Sequence, residues 1–136
     1  MSVEENKAIA RRFIGEVWTE GNLDVADEIL VADMVWHDTK IKGIEPFKKN
    51  LVAFRTDFPD ERLTCEELVA EGDKVAARIA GQGTHAPTGK RATWTAIAIL
   101  RITDGKIVEM WSNEDLLGRL QQIGFELVPP KGQSEA

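Results

Sequence analysis

A chain of 136 residues is long enough for one domain with a single hydrophobic core and too short for two. Its net charge of −6 and pI near 5.0 argue against a nucleic-acid or anionic-membrane surface, which needs clustered Lys and Arg. One cysteine, Cys65, excludes an internal disulfide and a cysteine metal cluster, and it reads as a small core residue of a strand.

The opening Met-Ser-Val-Glu-Glu-Asn has neither a charged n-region nor an apolar h-region, and no apolar run approaches the ~20 residues of a membrane span. A cytoplasmic protein without membrane contact is therefore expected. Ser2 with Glu5 fits a capping box, and Ile9, Phe13, Val17 beside Ala10, Ile14, Trp18 form two adjacent helical stripes. Gly21-Asn22 ends this helix. Leu23, Ala26, Ile29 and Leu30 mark a short second one, with Asp24, Asp27 and Glu28 outward.

Met34 to Asp38 reads as a strand with Met34, Trp36 and Asp38 on one face and Val35 and His37 on the other. A third helix starts near Ile44, with Pro46 in its first turn, and buries Phe47, Leu51 and Phe54 until Phe58-Pro59-Asp60 stops it. Short strands follow: Leu63 to Val69, a Glu71-Gly72-Asp73 turn, Val75 to His85, and a Pro87-Thr88-Gly89 turn. A hairpin then joins Ala92–Ile102 to Ile107–Asn113 through Asp104-Gly105. The last helix, Glu114 to Ile123, is expected to be capped by Ser112 or Asn113 and stopped by Gly124, with Glu114 and Asp115 favouring its dipole. Residues 1–128 form the domain, and the polar 129–136 tail with its prolines reads as disordered.

Helices first and antiparallel strands after them is an α+β order. A curved sheet around the helices makes a cone whose open end, lined by Trp, Phe and a few polar groups, has the make-up of a small-molecule pocket. Two hairpin registers are open. A two-residue turn puts Glu109, Trp111 and Asn113 on the face of Trp94, Ala96 and Ala98; a loop with a bulge at Gly105 puts Val108, Met110 and Ser112 there. In both, Ala96 and Ala98 are small mid-strand residues that either receive a closely packed helix or leave room for a ligand.

Glu5-Asn-Lys, Phe13, Glu16-Val-Trp18, Gly21-Asn-Leu-Asp, His37-Asp38, Phe58-Pro-Asp60, Thr88-Gly-Lys-Arg91, Trp94, Asp104-Gly-Lys-Ile-Val-Glu109 and Trp111-Ser-Asn-Glu-Asp-Leu-Leu-Gly118 form an ordered set. From about Glu4 to Gly124 this set resembles the SnoaL-like polyketide cyclase family. The resemblance implies the cone-shaped fold of the nuclear transport factor two superfamily, shared with ketosteroid isomerase, and a homodimer through the sheet. It also selects the bulged register, since the residue matching Ala98 points into the pocket in these relatives.

Antibiotic-pathway cyclases close a ring by an intramolecular aldol reaction, using a His and an Asp on this hairpin; the matching positions here are Ala98 and Ser112. Ketosteroid isomerases, which the chain also resembles, place a carboxyl base at the end of the first strand, matching Asp38. Their hydrogen-bond donors to the developing oxyanion fall at Phe13 and Ala98, neither of which can donate.

Asp38 is therefore the candidate catalytic base, and burial in an apolar cone would favour its protonated form. Ser112 is either a polar anchor or a helix cap. Phe13, Trp36, Phe54, Phe58, Trp94, Ala98 and Met110 complete the expected ligand-binding set. Arg101 and Glu109 pair on the outward face. His37, Asp38 and His85 match no metal-site spacing, and no cofactor is expected. The candidate function is cofactor-free isomerase, cyclase or lyase chemistry on a small apolar carbonyl compound; the alternative is a non-catalytic small-molecule-binding module of the same fold.

Overall fold

The computed structural model describes residues 2–132; of the expected tail, 129–132 carry no helix or strand and 133–136 lie outside the described residues. The capping box forms as expected, with Ser2 Oγ accepting from the Glu5 N–H at 3.1 Å and the Ser2 N–H donating to Glu5 Oε1 at 3.1 Å. It starts α1 (Val3–Arg12), which widens without a break into π-helical turns over Phe13–Thr19. Arg55 closes this widened end by donating to the Trp18 and Thr19 carbonyls at 2.8 and 2.7 Å.

Gly21, at φ +67°, turns the chain into α2 (Leu23–Ile29), capped by the Asn22 side chain. This helix passes directly into β1 (Leu30–Trp36), so the first strand begins earlier than Met34. Then come α3 (Ile44–Asp57), β2 (Arg62–Glu71), β3 (Lys74–Thr84), β4 (Arg91–Thr103), β5 (Lys106–Glu114) and α4 (Leu116–Gln122). The five strands form one curved, unclosed sheet in the order β1-β5-β4-β3-β2, antiparallel except for β1 beside β5.

The hairpin has the expected faces but not the expected turn. Thr103 pairs with Lys106, and Asp104 and Gly105 both have positive φ, at 51° and 79°, which makes a two-residue loop rather than a bulge at Gly105. An aspartate tolerates this conformation, so the loop closes tightly. The extra residue sits farther in: Arg101 faces Glu109 and Ile102 faces Ile107, leaving Val108 bulged. That bulge restores the register in which Ala98 faces Ser112 and Leu100 faces Met110.

The start of α4 also departs from expectation. β5 continues through Ser112 and Asn113 to Glu114, and Asp115 is the cap, its side chain accepting from the Gly118 N–H at 2.9 Å. Ser112 and Asn113 are therefore strand residues, and Glu114 lies outside the helix.

The helices pack on the concave face of the sheet. Its main core joins Phe13 and Val17 with Phe47, Leu51, Leu100 and Met110, all buried. A second cluster places Ile14 with Ala77, Ile79 and Ala98. Ile14 thus takes up the space that the small side chains of β3 and β4 leave, and the open hollow expected over Ala98 is replaced by close helix packing. Toward β2, Gly81 is small because a ring lies on it: a Cβ there would stand 2.3 Å from the Trp94 indole.

Candidate functional site

Alternation along β5 turns Ser112 toward the same face as Met110, and β1 supplies the residues beside it. Trp36 Nε1 donates to Ser112 Oγ at 2.8 Å, and Asp38 Oδ2 accepts from the Ser112 backbone N–H at 2.6 Å. Asp38 lies in the turn that follows β1, where its carboxylate accepts the Ser112 N–H beside the Trp36–Ser112 pair. His37 goes the other way, stacking on Trp111 at 4.7 Å and contacting Glu109 through Nε2 at 2.6 Å.

Asp38 is exposed and Ser112 half-buried, so Asp38 lacks the apolar enclosure expected of it and stands at the rim. It receives an N–H on β5 just beyond the point where the β1 backbone stops pairing, which follows from its place at the strand end.

The expected aromatic wall divides in two. Phe54 lies 5.1 Å from Phe58 and 5.9 Å from Trp94, and these three form one group. Phe13 and Met110 belong to the main core, where Trp36 packs at its edge. Trp18 links the two groups, 6.0 Å from Trp36 and 6.2 Å from Phe54. Ala98 lies apart from both, under Ile14.

Next to the Phe54 group the structure assembles charges that the sequence reading passed over. Arg119 of α4, only 6% exposed, donates from Nη1 and Nη2 to the two carboxylate oxygens of Glu114 at 2.7 and 3.0 Å. Its guanidinium lies 5.0 Å from the Phe54 ring centre and 5.1 Å from that of Trp94. Glu61, just before β2, is 3% exposed, and neither carboxylate oxygen has a hydrogen-bond partner. Burial pushes this carboxyl up to about 7, against the pull of Arg55 and Arg119 and with a push from Glu114.

Periodicity carried a signal for both residues. Glu61 shares its two-residue period with Leu63 and Cys65, which pack inward, and Arg119 is four residues before buried Ile123.

The outward face of the sheet is different in character. Arg101 and His37 hydrogen-bond to Glu109 and hold its carboxyl below the usual carboxylate range. An open concavity of about 520 Å³ lies farther along this face, lined by Thr64, Gln82, Thr93, Thr95 and Gln122 among others.

The SnoaL-like polyketide cyclase family model matches residues 8–123. Aklanonic acid methyl ester cyclase DnrD of Streptomyces peucetius is 29% identical over 91% of this chain and 94% of its own length. The structure of TsrD from Streptomyces laurentii superposes with a TM-score of 0.82 at 26% identity, covering 91% of this chain and 98% of its own. A Bacillus cereus protein described as a polyketide cyclase has a TM-score of 0.81 at 33% identity, over 88% of this chain and 80% of its own.

Proposed function

Because the chain belongs to the SnoaL-like polyketide cyclase family, we propose that it is a cofactor-free acid–base enzyme closing or isomerising a small, largely apolar carbonyl compound at the rim formed by β1 and β5. The observation that carries this reading is the Asp38–Ser112–Trp36 constellation. An indole from the end of β1 and a carboxylate from the turn after it meet there at a hydroxyl-bearing residue of β5. Ser112 Oγ accepts from the indole, which leaves its own O–H to donate to a ligand oxygen.

The proton balance is simple. Asp38 takes a proton from the carbon beside a carbonyl, and the C–H electron pair becomes an enolate. In a ring closure the enolate carbon bonds to a second carbonyl carbon of the same molecule, whose π pair moves to its oxygen. Asp38 returns the proton to that oxygen, so product and substrate are isomers. In a simple isomerisation the proton returns to carbon instead. Phe54, Phe58, Trp36 and Trp94 supply the apolar surface that such a compound requires.

A second reading, a binding module without catalysis, draws on Ala98, which has no acid–base group and is covered by Ile14. Exchange of the α-protons of 2-tetralone in D₂O, followed by NMR, separates the two. An enzyme exchanges them above the buffer rate and loses this in Asp38→Asn, which keeps an oxygen acceptor for the Ser112 N–H. A binding module shows the buffer rate with either protein.

The assembly we propose is a homodimer through the outward face of the sheet, where Val69, Ile97 and Ile99 are exposed beside Trp111. No helix among the described residues is long and apolar enough to cross a membrane, and cytoplasmic location is part of the same proposal.

A further inference from the structure

Asp38 stands in an exposed turn, and the bond from the Ser112 N–H is the one that the described residues give its side chain. An exposed side chain held at one point keeps much of its rotamer freedom unless the backbone beneath it is fixed. Proton transfer from carbon tolerates little of that freedom, because a misplacement of about 1 Å can cost a hundredfold in rate. Whatever fixes the backbone of this turn therefore acts on the chemistry through Asp38.

Directly after Asp38 the chain folds back along the outer edge of β1, where Lys42 faces Val35. The Gly43 N–H donates to the Met34 carbonyl at 2.6 Å, and the Trp36 N–H donates to the Ile41 carbonyl at 3.1 Å. His37 to Lys40 form the loop between these two arms. In a regular antiparallel pair the next bond would run straight from the Ile41 N–H to the Trp36 carbonyl. Here the Thr39 hydroxyl stands between those two groups: Oγ1 donates to the Trp36 carbonyl at 2.8 Å and accepts from the Ile41 N–H at 3.0 Å. One oxygen thus holds the mouth of the loop apart. The Thr39 N–H, donating to the His37 carbonyl at 2.7 Å, closes a three-residue turn with Asp38 at its centre.

We infer that Thr39 is the positioning residue for Asp38: its hydroxyl, inserted between the two arms of the loop, holds the turn that aims the carboxylate at β5 and at the substrate carbon. The effect on rate rests on the acid–base reading of Asp38, and the effect on the Asp38–Ser112 contact stands without it. In the absence of the hydroxyl, the Trp36 carbonyl and the Ile41 N–H are drawn to each other and the mouth of the loop narrows. His37 is already tied to β5 by its N–H to the Met110 carbonyl at 2.9 Å, so the shift falls on Asp38.

The test compares Thr39→Val, which keeps the branched shape without the hydroxyl, with Thr39→Ser, which keeps the hydroxyl. The Ser112 amide proton, read by ¹⁵N-edited NMR, reports the bond to the Asp38 carboxylate, and Asp38→Ala supplies its unbonded position. In Thr39→Val this resonance is expected near its place in Asp38→Ala, and in Thr39→Ser near its place in wild type. The exchange of 2-tetralone α-protons falls about tenfold to a hundredfold in kcat in Thr39→Val with KM unchanged, and recovers in Thr39→Ser. Circular dichroism reports whether each variant folds; should Thr39→Val not fold, Thr39→Ala takes its place.

A folded Thr39→Val whose Ser112 amide keeps the wild-type position overturns the inference, and so does a Thr39→Ser that fails to restore that position. The exchange assay separates this from the acid–base reading. A folded wild type that exchanges 2-tetralone only at the buffer rate removes the acid–base reading, and the amide resonance alone then decides whether Thr39 holds Asp38. Catalysed exchange that is undiminished in Thr39→Val removes the effect on rate and leaves Asp38 as the base.

Discussion

The indole N–H of Trp36 and the hydroxyl of Ser112 are joined at 2.8 Å, so the last residue of β1 is fixed to the inner face of β5. Ser112→Ala removes the acceptor and leaves a half-buried N–H unpaired, which costs about 1–2 kcal/mol. Urea unfolding measures that loss, and a shift in tryptophan emission accompanies it. The Asp38 contact is to the backbone of Ser112 and persists.

Glu61 makes stability depend on pH in a definite direction. Its carboxyl rises from 4.5 to about 7 on folding. Below 4.5 both states hold the proton and there is no differential; as pH rises from there toward 7 the unfolded chain releases its proton first, and stability falls. Above 7 the penalty is complete, of the order of 3 kcal/mol. Urea unfolding of wild type and Glu61→Gln at pH 4 and pH 8.5 isolates it: the variant gains relative to wild type at the higher pH by about that amount.

Arg119 opposes this rise. Arg119→Met keeps much of the packing over Phe54 and Trp94 but removes the positive charge, so the Glu61 carboxyl moves above about 7. Titration of ¹³C-labelled glutamate carboxyls by NMR reads the shift. The loss of the Glu114 pair and of the cation over the rings lowers stability as well, by about 2–3 kcal/mol.

Much of the fold was legible because its signals are local and periodic. The capping box at Ser2 and Glu5, the Phe47–Leu51 stripe and the alternation through Met34 and Trp36 each depend on spacing within a few residues. The hairpin faces were legible and its turn was not. A bulge at Val108 and a bulge at Gly105 give the same inner-face partners, and only backbone angles distinguish them. Ser112 lay at the expected boundary of strand and helix, and the continuation of β5 to Glu114 changes a cap into a side chain on the same face as Met110.

The candidate site was legible in its short-range part alone. The sequence placed Asp38, Trp36 and Ser112, which the structure brings together, but it could not show that Ile14 packs on Ala98. That contact joins the π-helical stretch after α1 to β4, far apart in sequence. Glu61 and Arg119 were passed over because charged residues are usually solvated, and only the tertiary fold brings one from before β2 and one from α4 to the same aromatic group.

The proposed dimer has a direct test of its own. Ile97 and Ile99 are 54% and 38% exposed on the outward face of β4, away from Asp38 and Glu61. Ile97→Glu with Ile99→Lys places desolvated charges in any apolar interface there. Sedimentation velocity is expected to show wild type as a dimer and the double variant as a folded monomer.

Most direct of all is the α-proton exchange of 2-tetralone in D₂O, measured by NMR from pH 5 to 9. The expected result is exchange above the buffer rate that disappears in Asp38→Asn. Exchange at the buffer rate across the whole range, from a folded wild-type protein, contradicts proton transfer at this rim.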